Sequence, residues 1–362
     1  MLLADKLLAK RPGHRPALRA KGAALGVLAD IDRRELRFTD ALALSRAGLR
    51  VQQELTGLDP GNSSSQNNLR VAKWDVFSGV GELGHINEGI ASAQAALVID
   101  KVEILSGFSL RNLVPWHSFM ASDYAEYGRM GEAQADLAKA EKYLKSFMAV
   151  NTAKGAVTAL QADLAMARAR IDLANNKPDN VEADLAKHIA ARLGHCAELG
   201  KDAPTGQDGT LADLYLTTAD ALLMKGDIVN AAAFAQKALL EWERSRDGVA
   251  DNERGLAYQR TIIGARTRLA IALAKQGKQY DAAKVIEPAM TFAALPAVQK
   301  SEGVLLKADL ANALYAAALA KPENKKALLT QAARLLDGLT ADVKASKRWA
   351  KLRADVAAEM KR

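Results

Sequence analysis

The chain has 362 residues and a formal net charge of +8, set by 50 Lys and Arg against 42 Asp and Glu. Apolar residues make up 49% and aromatics only 5%, and the single cysteine, Cys196, excludes an intrachain disulfide and a thiolate metal cluster. Ala and Leu dominate, and long Val- and Ile-rich runs are missing, so the expected class is all-α with a large core.

The start, Met1-Leu2-Leu3-Ala4-Asp5-Lys6, lacks the basic region and unbroken apolar core of a signal peptide. No apolar run is long enough to span a membrane as a helix, and the expected compartment is the cytoplasm. Leu2 to Lys10 has the pattern of the back half of a helix, and Arg11-Pro12-Gly13-His14 matches the later turn Asp59-Pro60-Gly61-Asn62. An array that begins in mid-repeat lacks an N-terminal cap, so a C-terminal part of a longer protein is expected. Helix pairs are then predicted near 15–35 with 38–57, 65–83 with 87–104, 110–127 with 131–149, and 154–175 with 179–197. They continue near 209–225 with 228–246, 252–276 with 279–293, and 298–320 with 323–338, and a final helix near 341–361 is expected to cap the array. The polar, Gly- and Pro-containing stretch 199–209 is the best linker, dividing repeats in 1–198 from repeats in 210–362.

One phrase recurs between paired helices. Gly84, Gly128, Gly226 and Gly277 each precede a small residue, Gly89, Ala133, Ala231 and Ala282, by five positions. The first glycine can end a helix at positive φ, and the small residue lets two helices approach closely. Weaker copies place Ala41, Ala183 and Ala327 at the same mark, with Pro178 and Pro322 in place of the glycine in the last two. The seven marks lie 44 to 51 residues apart.

These residues resemble the tetratricopeptide-repeat family. The third repeat carries Met120, Ala121, Tyr124, Gly128, Ala133, Leu137 and Ala140 at the family's positions. The sixth carries Leu269, Ala270, Leu273, Gly277, Ala282, Ile286 and Ala289, and the fifth Tyr215, Ala219, Leu222, Gly226, Ala231 and Ala238. Phe77 departs from the small residue usual in the second repeat, and the spacing exceeds the family's basic repeat of about 34 residues. The resemblance implies an α-α superhelix of about seven helix pairs and a capping helix, since such pairs bury their apolar faces only by stacking. It also implies a binding groove lined by the first helix of each pair. The family's lining positions fall on Trp74, Ser78 and Glu82, on Ser118, Ser122 and Glu126, and on Asp213, Leu216 and Asp220.

Catalytic patterns are absent or out of context. Gly79-Val80-Gly81-Glu82-Leu83-Gly84 spells a dinucleotide-binding string, but a helical stretch precedes it where a strand is required. No phosphate-binding loop, serine elbow or zinc-binding His-Glu-x-x-His occurs. His188, His195 and Cys196 fall on one predicted helix and read as surface residues in preference to a metal site. Asp213 and Asp220 share a helix face, and an acid–base role there would need a water-excluded cleft. The C-terminal helix carries Lys344, Lys347, Arg348, Lys351, Arg353, Lys361 and Arg362 around Trp349 and Leu352. It reads as a polar-faced cap in preference to a lipid or nucleic-acid contact.

The expected function is binding without catalysis, and no cofactor or metal is expected. The partner would be a protein or peptide held in the concave groove, and nucleic acid is not expected. The resemblance extends to repeat arrays fused behind bacterial kinases, cyclases and winged-helix regulators, which implies a ligand-sensing regulatory domain as the alternative. A scaffold predicts an open groove with Trp74 exposed, and a sensor predicts a closed superhelix. An enzyme built on the solenoid is the third reading and needs convergent polar residues in one cleft.

Overall fold

Helices form wherever the Ala- and Leu-rich stretches run on, because these side chains lose little freedom on a helix and offer an apolar stripe to a neighbour. The computed structural model describes residues 2–98, 107–150, 153–199, 209–247 and 251–362, and every regular element among them is helical. In chain order the helices are α1 (Leu2–Lys10), α2 (Arg15–Arg34), α3 (Phe38–Leu58), α4 (Ser63–Glu82), α5 (Ile86–Leu97) and α6 (Gly107–Glu126). Then come α7 (Met130–Val150), α8 (Lys154–Ala174), α9 (Val181–Leu199), α10 (Gly209–Lys225), α11 (Ile228–Asp247) and α12 (Asp251–Lys275). The series ends with α13 (Gln279–Ala293), α14 (Pro296–Lys300), α15 (Val304–Ala320), α16 (Lys325–Asp337), α17 (Ala341–Lys344) and α18 (Lys347–Met360). Helices α2 with α3, α4 with α5, α6 with α7, α8 with α9, α10 with α11, α12 with α13 and α15 with α16 form the pairs. The architecture is an all-α, tetratricopeptide-like superhelix. The expected linker 199–209 and the expected extension of α5 to residue 104 fall largely outside the described residues.

The turn chemistry explains the register. Gly84, Gly128, Gly226 and Gly277 take φ of +80°, +76°, +80° and +78°. In each turn the next N–H reaches back five residues, as from Arg129 N to Tyr124 O at 2.7 Å and from Asp227 N to Leu222 O at 2.9 Å. Leu36 (φ +62°) and Asn176 (φ +57°) play the same part in the first and fourth repeats. Their following residues make the same bond, Arg37 N to Asp32 O and Lys177 N to Asp172 O.

This corrects two of the sequence marks. Counting five from Asn176 gives Val181, which is 1% exposed, whereas Ala183 faces solvent. Ala327 is likewise exposed, because α15 joins α16 through the short 3₁₀ turn Pro322–Asn324 and not through a left-handed residue.

Three expected helices are broken, and tertiary contact explains each break. α12 is kinked at Gly255 (φ +61°), where a β-carbon would lie 2.7 Å from the carbonyl oxygen of Arg34. The predicted helix 298–320 splits into α14 and α15. Between them the Ser301 hydroxyl donates to Leu36 O at 2.9 Å and accepts from Gly303 N at 3.3 Å. The predicted terminal helix splits at Ser346, whose hydroxyl caps α18 by accepting from Trp349 N at 3.3 Å.

Those contacts join distant repeats. One core cluster holds Leu36 and Phe38 of the first repeat with Ile263, Leu306 and Leu310. Another holds Phe77, Tyr124 and Phe147 with Tyr315, Leu329, Trp349 and Leu352. The array therefore completes a turn and packs its early repeats on its late ones. Trp349 and Leu352 are buried, as expected of a cap, but the terminal segment also crosses the structure. Thr340 donates to Gly84 O at 2.8 Å, Asn87 donates to Asp342 through its backbone and side-chain nitrogens at 3.1 and 3.0 Å, and Lys347 Nζ donates to Ala174 O at 2.7 Å.

Candidate functional site

The first helices of successive pairs, α4, α6, α8, α10, α12 and α15, carry charged side chains that meet across the turn of the superhelix. Arg260 on α12 donates to Glu82 on α4 at 2.7 Å and to Asp309 on α15 at 2.8 Å. Arg268, two turns further along α12, grips Asp220 on α10 through two bonds of 2.6 and 2.9 Å. This fork geometry is the strongest form of a carboxylate–guanidinium contact. Arg348 of α18 enters the same network, 3.4 Å from Asp309 through its guanidinium and 3.0 Å from Glu126 through its backbone N–H. The Ser346 hydroxyl also donates to Glu126.

Burial works against the charge on Arg260, but Glu82 and Asp309 outweigh it and hold the guanidinium above its ordinary pKa. Arg348 moves the other way, lowered by burial and by Arg268. Asp123 on α6, Arg170 on α8 and Asp213 on α10 form no ion pair among the described residues. Burial pushes the Asp123 carboxyl up to about 7, Glu126 adds to the rise, and Arg170 opposes it from a distance. Asp213 is raised by burial against the pull of Arg170 and Arg268.

The nine residues expected to line the groove divide into two sets. Glu82, Glu126, Asp213 and Asp220 all lie in or beside this charged network. Trp74 does not stand free. It is half-buried, stacked on Trp116 with ring centroids 4.9 Å apart and tilted against Phe77 at 4.7 Å, so it packs between repeats. Ser78 donates to the Trp74 carbonyl at 3.2 Å. Ser118 is 3% exposed, and Ser122 donates to its carbonyl at 3.0 Å. Leu216 is half-buried against the core of α8 to α12.

Sequence reasoning missed the arginines that organise the network. Arg260 and Arg268 are eight apart on the first helix α12, a spacing that puts them on one side of it. Their carboxylate partners come from other repeats, which no local pattern shows. The buried pair of His117 Nδ1 and Asp136, 3.1 Å apart, was also unforeseen. There burial would raise the Asp136 carboxyl, but hydrogen bonds from His117 and Lys139 prevail and lower it.

Among the described residues no group of three or more His, Cys, Asp or Glu could hold a metal ion, and no helix is long and apolar enough to cross a membrane. The glycine string at 79–84 closes α4 and enters the repeat turn, with Gly79 packed on Leu42.

The chain is similar in fold to a crystal structure of a STAND protein (a signal transduction ATPase with numerous domains) with a tetratricopeptide repeat sensor from Pyrococcus horikoshii. The TM-score is 0.51 at 13% identity over 98% of this chain. This chain spans about half of that one, 48%. BtubC (BKLC) from P. vanneervenii aligns with a TM-score of 0.47 at 15% identity, over 70% of this chain and 89% of that one. No family model and no curated protein matches. The first likeness is one of fold, and it agrees with the tetratricopeptide-like helical repeat derived above.

Proposed function

We propose that the chain is a regulatory interaction module that binds an extended segment of a partner protein along its charged inner face, and that it performs no chemistry of its own. The observation that carries this reading is the unspent charge on three successive first helices. Asp123, Arg170 and Asp213 have no ion-pair partner among the described residues, while Arg260, Arg268 and Arg348 beside them are paired. Recessed charges without partners cost free energy, and a ligand that hydrogen-bonds them recovers it. An extended peptide supplies both donors and acceptors at regular spacing.

The closed superhelix and the half-buried Trp74 favour a sensor-like domain over a wide-open scaffold. A place in a larger signalling protein, attached to a kinase, cyclase or transcription regulator, suits that reading. The fold neighbour from Pyrococcus horikoshii, which carries a repeat sensor, is in keeping with it.

The test uses the whole chain as bait beside an Asp123→Asn/Asp213→Asn variant, with circular dichroism as the folding control. Captured proteins are narrowed to a segment with overlapping synthetic peptides. The expected outcome is a peptide that binds the native chain and loses about tenfold or more in affinity, about 1.4 kcal/mol, to the variant. Equal binding to both baits would move the site off the inner face. Binding by a folded domain but by none of its peptides would refute the extended mode.

A further inference from the structure

Away from the charged network, a cavity of about 280 Å³ opens between α2, α3 and α4. Its existence follows from local sequence. Gly22 and Gly26 fall one turn apart on α2 and Gly48 lines the cavity from α3; the Gln52 side chain packs against Gly22, and the space beside Gly26 is left open. A β-carbon at Gly26 would meet nothing within 4 Å. The volume lies just below the roughly 300 Å³ at which sites for drug-sized molecules begin, which leaves room only for a small ligand.

The lining is built for polar contact. Ser45 is 6% exposed, faces the cavity, and its hydroxyl has no hydrogen-bond partner among the described residues. Gln52 also lines it, and its Oε1 is buried and unpartnered. A buried polar atom such as Gln52 Oε1 is costly to leave without a bond, and the Ser45 hydroxyl beside it is free to donate or accept. The lining carries both signs of charge. Arg19 and Asp75 both border the cavity, and Asp75 is paired only loosely, with Arg33 at 3.8 Å. Leu44 and Val71 add apolar wall.

We propose that this cavity is a binding site for a small zwitterion of amino-acid size. The ligand's ammonium group meets Asp75, its carboxylate meets Arg19, and Ser45 and Gln52 hydrogen-bond its polar atoms. Arginine suits the carboxylate through its planar fork. The proposal does not rest on the partner-binding reading, because it uses none of the residues of the inner charged network.

The test is isothermal titration of the full chain with the free L-amino acids, each paired with its N-acetyl and its amide derivative. The expected result is binding of at least one free amino acid, weakened about tenfold or more when either end is blocked. Asp75→Asn should weaken the same ligand by a similar factor, and so should Arg19→Gln. Gly26→Leu should abolish binding while leaving the circular dichroism spectrum unchanged, since its side chain grows into open space. The Asp75 and Arg19 variants keep the test decisive even if Gly26→Leu perturbs folding. The idea is overturned if no free amino acid binds. It is equally overturned if a binder tolerates blocking of both ends, or binds a folded Gly26→Leu chain as well as the native one.

Discussion

Gly84 meets two separate demands, and the other turn glycines show how to separate them. Its φ of +80° is shared with Gly226, but only at Gly84 would a β-carbon collide, 2.8 Å from Thr340 Oγ1 and 2.9 Å from Val304 Cβ. At Gly226 nothing lies within 4 Å. Gly226→Ala should therefore cost only the left-handed strain, about 1–2 kcal/mol. Gly84→Ala should cost about 2–4 kcal/mol, because the terminal segment must also move. Urea denaturation of both variants checks this, and equal losses would show that the Thr340 contact contributes nothing. Asp123 supports a second prediction. Its carboxyl titrates at about 7 in the folded chain against 3.8 ordinarily, so the folded state holds the proton more tightly. Its contribution to stability is thus full below about pH 4 and is lost as pH rises through about 7. Asp123→Asn should remove that slope and raise stability at pH 8 relative to pH 5 by about 2–4 kcal/mol compared with the native chain. Denaturation at the two pH values measures it.

At the scale of elements, the terminal helices act as a strap more than as a simple cap. α17 and α18 touch the C-terminal ends of α4, α6 and α8 through Thr340, Ser346, Arg348 and Lys347. Trp349, 5% exposed, anchors the strap in a core shared with α15 and α16. Trp349→Ala should destabilise the chain by about 3–5 kcal/mol, the cost of emptying a buried aromatic site. It should also raise amide exchange at Asn87 and in the Gly128 turn, which lie in other repeats. If exchange increased only within α15 to α18, the strap would be energetically local. The helices themselves were legible because Ala and Leu at helical spacing leave little choice. The helix breaks at Gly255, Ser301 and Ser346 were not, since each is set by a contact with another repeat.

An open solenoid unfolds by nearest-neighbour steps, since each repeat touches only its neighbours. This molecule differs because Leu36 and Phe38 share a core with Ile263 and Leu306. Phe38→Ala should cost about 3–4 kcal/mol and loosen α15 as much as α3. Hydrogen exchange read by mass spectrometry across both helices checks the coupling, and loss confined to α2 and α3 would contradict closure.

What the sequence determined by itself was the helical class, the turn glycines and the place of the second-helix residues that follow them. These depend on local physics: helix propensity, the steric freedom of glycine at positive φ, and the apolar period. It reached Glu82, Glu126, Asp213 and Asp220 by family resemblance, because first-helix positions face inward in any such stack. Only the tertiary structure decided that Trp74 stacks on Trp116, that Ser118 is buried, and that Arg260, Arg268 and Arg348 complete the inner face. Ion pairs between residues as far apart as Glu82 and Arg260 depend on the curvature accumulated over several repeats. No single repeat encodes that curvature, so the closed charged interior became visible only once the helices were stacked.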